Sequence, residues 1–279
     1  MCFKKISIRY KYYNINVLQM TNNQLLIIKI GGNVVDTPSV LSQVLSDFAA
    51  IEGRKIVVHG GGKIADVLLK KMDITPQKVE GRRITDAATL DVVTMVYAGL
   101  INKKIVAELQ SLNCNAIGLT GADMNAMQAH KRISKNGIDY GFAGDIDTVN
   151  TEGVAKLLDT VADTIVFAPI THDKNNQLLN TNADTIAATL AIAMSEKYDV
   201  TLKFIFEKKG VLADPKDDDS VISTISYADF QAGKANGTIF EGMIPKLDNA
   251  FNVLKNGVSS VVICGVEGVN TDVGTTLQA

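Results

Sequence analysis

Two lysines, an arginine, an aspartate and two runs of glycine supply the residue types that handle phosphate and carboxylate. Lys29 stands inside the apolar run LLIIKI (25–30), where a charge is costly unless it reaches an anion or the sheet edge. Gly31 and Gly32 follow the run at once, and a second apolar run, KIVVHGGG (55–62), ends in Gly60, Gly61 and Gly62. At such turns backbone N–H groups converge on an anion because no side chain bars the approach. Lys246 sits in GMIPKLDNA (242–250) just behind Pro245, near the start of a helical pattern. Arg83, in GRRIT (81–85), precedes a long helical pattern, and its guanidinium suits two-point binding of a carboxylate. Asp184 falls in the first turn of a helix opened by Asn182.

Taken singly, each has a plainer account. Glycines at strand ends are turn devices, and Lys29 can snorkel to the sheet edge. Lys246 and Arg83 fit an exposed surface, as does Arg82, while Asp184 complements a helix dipole. His59 reads as a packed histidine with a local hydrogen bond rather than a base, and Met124, Met127 and Met243 read as fillers. The two glycine turns say more together, because turns after neighbouring parallel strands face one crevice at the carboxyl edge of the sheet. Neither G-x-G-x-x-G nor G-x-x-x-x-G-K-[ST] occurs, which removes the two commonest nucleotide-binding loops. Cys2, Cys114 and Cys264 are scattered, as are His59, His130 and His172, so no disulfide framework or zinc site is expected. Any metal arrives with a substrate.

The elements that must position these residues alternate. Apolar strands at 25–30 and 55–59 each run through glycine into a helix, and residues 85–112 carry apolar residues at helical spacing behind a cap at Thr85. Strands follow at 114–120 and 164–170, with a polar hairpin region at 122–150 between them. A helix from 182, a strand at 202–207, helices at 227–233 and 245–257, and a strand at 259–265 complete the chain. This predicts an α/β fold with a mostly parallel sheet and helices on both faces.

Of the 279 residues, 46% are hydrophobic and 21% charged, which fits an ordinary globular protein. The net charge of −2 gives no basic surface for nucleic acid, and no apolar run is long enough to span a membrane. Residues 1–20 carry Lys4, Lys5, Arg9 and Lys11 and no acid, leaving 24 basic and 30 acidic groups, a net of −6, in the remainder. This head lacks an apolar core of signal-peptide type, and the three scattered cysteines make a reducing cytoplasm the expected location.

KIGGN (29–33), VHGGGK (58–63), GRRIT (81–85), LNTNADT (179–185) and GMIPK (242–246) occur in one order. On these motifs the chain resembles the amino acid kinase family, and within it the branch acting on N-acetylglutamate, from about Leu25 to the C-terminus. The resemblance implies a three-layer α-β-α sandwich with an open, mostly parallel sheet, of the carbamate kinase kind. It implies transfer of the ATP γ-phosphoryl group to a side-chain carboxylate of an N-acylglutamate, with Mg²⁺ carried by ATP. Lys29, Lys246 and Asp184 would be catalytic, and Gly31, Gly32 and Gly61 would bind phosphate. Gly61, Gly62, Arg83 and Asn180 would hold the acyl-amino acid, and Glu207, Gly210, Thr238 and Phe240 the nucleotide. The division implied is a peripheral head at 1–20, an acyl-amino-acid lobe with the dimer interface at 21–181, and a nucleotide lobe at 182–279.

Two departures qualify the resemblance. Glu207, followed by Lys208 and Lys209, stands where the family usually has Asp. The ending GTTLQA and the helix-poor head differ from arginine-inhibited hexamers, so a homodimer insensitive to arginine is expected. N-succinylglutamate as substrate, or a non-catalytic member of the family, are the alternatives.

Overall fold

The apolar runs become strands of one sheet because each is long enough to cross it and is bounded by glycine or polar turns. The structure, a computed structural model, describes residues 23–79, 81–134, 137–214, 216–239 and 243–278. The head at 1–20 and Phe240 lie outside the described residues.

The first half of the chain comprises β1 (Gln24–Ile30), α1 (Gly32–Val35), α2 (Pro38–Ala49), β2 (Arg54–His59), α3 (Gly62–Lys71), β3 (Gln77–Val79), β4 (Arg82–Ile84), α4 (Ala87–Thr94), α5 (Asn102–Ser111), β5 (Ala116–Leu119), β6 (Met127–Lys131) and β7 (Ala143–Val149). The second comprises α6 (Thr151–Thr160), β8 (Thr164–Phe167), β9 (Ile170–His172), β10 (Leu178–Thr181), α7 (Ala183–Met194), β11 (Asp199–Ile205), β12 (Thr224–Ser226), α8 (Tyr227–Asn236), α9 (Ile244–Lys255), β13 (Ser260–Cys264) and β14 (Thr275–Gln278).

Eight strands form the central sheet in the order β12-β14-β13-β11-β1-β2-β8-β5, and every pairing but that of β13 with β14 is parallel. Helices cover both faces, giving the expected α-β-α sandwich. Strand alternation sorts the side chains between two cores. Leu25, Ile27, Ile56, Val58, Leu202 and Phe204 pack with α6, α7 and α9, whereas Ile28, Ile30, Val57 and Ile205 pack with α1 to α5. The sheet runs unbroken across the predicted lobe boundary, since β1 pairs with β11 along its whole length.

After β1 the chain moves to β2 on one side, and after β11 it moves to β12, β13 and β14 on the other. The crevice between β1 and β11 is therefore the switch point, where ligands bind at the carboxyl ends of open parallel sheets.

The structure corrects the long helix at 85–112. Its start is capped by Asp86, whose carboxylate accepts from Thr89 N at 2.8 Å, while Thr85 pairs as a strand with Gly141. The helix also changes pitch: Met95–Ile101 form a π-helical stretch between α4 and α5. The polar region at 122–150 does contain an antiparallel hairpin, β6 with β7, but β9 and β10 close it into a small barrel.

Candidate active site

Lys29 follows Leu25 and Ile27 on the same face of β1, so it continues the row that faces α7 and α9. Its Nζ lies 2.8 Å from Asp184 Oδ1, and its side chain is only 8% exposed. Asp184 is placed by the start of α7, where Asn182 Oδ1 accepts from Asp184 N at 2.9 Å and Thr185 N at 3.1 Å. A side-chain cap of this kind fixes both the helix start and the acid in its first turn.

The start of α9 has no such side-chain cap; Pro245 occupies its first turn, where a missing N–H costs nothing, and Lys246 follows. Phe206, just past β11, receives both cations: Lys246 Nζ lies 4.1 Å and Lys29 Nζ 5.2 Å from its ring centre. Burial, then the charge of Lys29, lowers the Lys246 pKa, and Asp184 and Glu207 oppose the shift. An anion between the two ammonium groups would relieve that repulsion.

The glycine turns frame the same place. Gly60 N donates to Ile30 O at 3.2 Å, tying the second turn to the end of β1. Gly61 has φ +148°, and a Cβ there would run into Ile101 and Tyr97, so both backbone conformation and space require glycine. Arg83 is buried, with Nη1 2.6 Å from Asp66 Oδ1 and Nη2 donating to Gly62 O at 3.0 Å. Lys78 reaches the other oxygen of Asp66 at 2.6 Å. Burial pushes the Asp66 carboxyl up, but hydrogen bonds from Lys78 and Arg83 bring it below the ordinary value. Asn180 donates from Nδ2 to Thr85 Oγ1 at 3.0 Å.

Two clefts meet here. The first, about 650 Å³, is cationic, lined by lysine and arginine side chains together with Gly60, Gly61, Gly62 and Asn180. The second, about 470 Å³, is walled by Phe206, Val211, Leu212, Ile239 and Met243, with Gly31, Glu207, Gly210 and Lys246 among its lining. Lys29, Gly32, Asn33 and Asp184 line both. Thr238 is exposed and bonded to Asn236 Oδ1, and it does not line the second cleft. Lys208 and Lys209 pair with Asp218 and Asp219, each at 2.5 Å, so the acidic run of the following loop engages both added cations.

Sequence reasoning missed several lining residues. Arg82 is half-buried and lines the first cleft rather than the open surface, because the β3–β4 hairpin supplies part of its wall. Met243 lines the second cleft. Asn33, beside the first glycine pair in KIGGN, was the one signal available; Lys78 and Tyr97 gave none.

A three-layer α/β sandwich whose central strands carry a cationic and an apolar cleft to one shared edge is a fold of the carbamate kinase kind. A solved carbamate kinase from Giardia superposes with a TM-score of 0.63 over 91% of this chain and 98% of its own, at 13% identity, a likeness of fold alone. The chain belongs to the amino acid kinase family, which it matches over residues 24–265. It is 54% identical over 262 residues to a Cytophaga hutchinsonii protein named acetylglutamate kinase, covering 92% of this chain and 99% of that one. A Bacteroides fragilis protein of the same name is 51% identical over 255 residues, covering 91% and 97%.

Proposed function

We propose that the chain phosphorylates the side-chain carboxylate of N-acetyl-L-glutamate with ATP, giving N-acetylglutamyl 5-phosphate and ADP, a step of arginine biosynthesis. The observation that carries this reading is the sharing of Lys29, Gly32, Asn33 and Asp184 by a cationic and an apolar cleft. The acyl-amino acid enters the first and the nucleotide the second, so acceptor and γ-phosphate meet at the shared residues. The names of the relatives support the same assignment.

A glutamate-type carboxylate, with a pKa of about 4.3, is ionised at neutral pH, so no general base is needed. One carboxylate oxygen attacks the γ-phosphorus in line, and the bond to the β,γ-bridging oxygen breaks to release ADP. Positioning and charge stabilisation do the rest. Lys29 and Lys246 flank the moving phosphoryl group, Asp184 holds Lys29, and N–H groups of Gly31, Gly32 and Gly61 donate to its oxygens. Gly62, Arg83 and Asn180 hold the acyl-amino acid; Glu207, Gly210 and Ile239 serve the nucleotide. Mg²⁺ enters with ATP. The division near Asn182 is then one of ligand-binding halves on a continuous sheet. The working form is a cytoplasmic homodimer insensitive to arginine.

A second reading, N-succinylglutamate as acceptor, draws on Arg82: the extra guanidinium in the first cleft would meet a second carboxylate on the acyl group. An assay of acyl phosphate formation with N-acetyl-, N-succinyl- and free glutamate tests both. N-acetylglutamate should give the highest kcat/KM; preference for the succinyl compound selects the second reading, and no turnover with either overturns both.

A further inference from the structure

We propose that His59 is a positioning residue, whose ring N–H fixes the peptide between Gly60 and Gly61 so that Gly61 N–H points into the cationic cleft toward the reacting anion. The inference rests on the proposed reaction for its substrate, and on geometry for the rest.

His59 closes β2 and is fully buried, with Nδ1 2.8 Å from the carbonyl oxygen of Gly60. A carbonyl only accepts, so Nδ1 carries the ring proton and Nε2 is left to accept. Nε2 faces Asn102 Nδ2 at 3.5 Å, and that same nitrogen donates to Val166 O at 2.9 Å. Burial holds the imidazole neutral by pulling its pKa down to about 4, so the donor persists across neutral pH.

The described chain has no cis peptide. In a trans peptide C=O and N–H point in opposite directions, so a Gly60 oxygen drawn back to the buried ring aims Gly61 N–H the other way. Gly60 and Gly61 line the cleft. The other polar groups of this turn are occupied: Gly60 N donates to Ile30 O, and Gly61 O accepts from Ala65 N at 3.1 Å. Among the described residues Gly61 N–H has no partner. A peptide flanked by glycines turns over at little cost, and the turned form would present a carbonyl to the anion. The imidazole holds the useful orientation.

Asparagine and glutamine separate this role from mere packing. Asn at position 59 places its amide nitrogen where Nδ1 stands; Gln carries its amide out to the Nε2 position. His59→Asn should keep kcat within about threefold, while His59→Gln should lower it about tenfold or more, since the loss of one oriented donor is being read. Crystal structures should show the Gly60 carbonyl turned toward the cleft in the Gln variant only. Equal turnover by the two variants, or an unturned peptide in the Gln protein, overturns the proposal. Nitrogen NMR of the unmutated protein gives a reading that needs no variant: Nδ1 should be protonated and Nε2 not, from about pH 5 to 8, and the opposite tautomer overturns the assignment. Should the unmutated protein turn over no N-acylglutamate, the substrate reading fails, and peptide orientation and tautomer still decide the role of His59.

Discussion

Lys246 stands in the least comfortable position of the charged groups at the site: open to solvent on one side, but stacked on Phe206 and beside a second ammonium. On the proposed reaction, replacing it with alanine would remove charge from the moving phosphoryl group while leaving the apolar walls of the second cleft intact. Lys246→Ala should lower kcat by about a hundredfold or more, with KM for ATP changed by no more than about threefold. Equal turnover would remove Lys246 from the mechanism. Its pKa lies below that of an ordinary lysine, because burial and Lys29 disfavour the charged form. If the proposed role holds, the charged form is the active one, and kcat should fall as pH rises through that lowered value. Lys246→Arg keeps its charge, and its kcat profile should stay flat over the same alkaline range; an unchanged decline would assign the titration elsewhere. At this scale the sequence revealed residue types but not company. Lys29 was legible as a charge in a buried strand, while Phe206, which gathers both lysines, looked like one more apolar residue. Arg82 was misread because a three-residue strand of mixed polarity, forming part of a cleft wall, leaves no periodic trace.

Elements set distances that side chains alone cannot. Asn182 ends β10's excursion and begins α7, so one amide side chain decides where Asp184 meets Lys29. Asn182→Ala should destabilise the protein by about 1 kcal/mol in urea unfolding, the ordinary cost of a lost cap, and should lower kcat because Asp184 loses its fixed start. Asn182→Asp retains the acceptor and should recover the stability. An alanine variant as stable and active as the parent would show that α7 is held by packing alone. Long buried strands and amphipathic helices were legible because burial imposes a period on them. The short strands β3, β9 and β10, with burial dictated by tertiary neighbours, were not. The π-helical stretch escaped for a related reason: its apolar spacing fits a helix, and the extra residue per turn leaves no compositional mark. Thr85 and Asp86 are both good caps, and strand pairing of Thr85 decided between them.

At the scale of the molecule, the residues left over from the two cores carry the last question. Val67 of α3, Met72 just past its end, and Met95 and Leu100 of the adjoining π-helical stretch are large apolar side chains left exposed, on two elements that pack against each other. Single exposed apolar residues need no explanation, but a gathering on neighbouring elements calls for a cover. This surface belongs to the half that the sequence resemblance gives the dimer interface, and none of its four side chains lines either cleft. A second copy seated there would bury apolar surface without blocking either ligand. It would also brace Tyr97 and Ile101, the side chains that force glycine at position 61, so assembly and the phosphate-facing turn would be coupled. Light scattering should therefore give twice the chain mass, and Met95→Glu with Leu100→Glu should give single chains with reduced turnover. A monomer or hexamer for the parent protein, or a dimer undisturbed by the two glutamates, would place the interface elsewhere and uncouple it from Gly61.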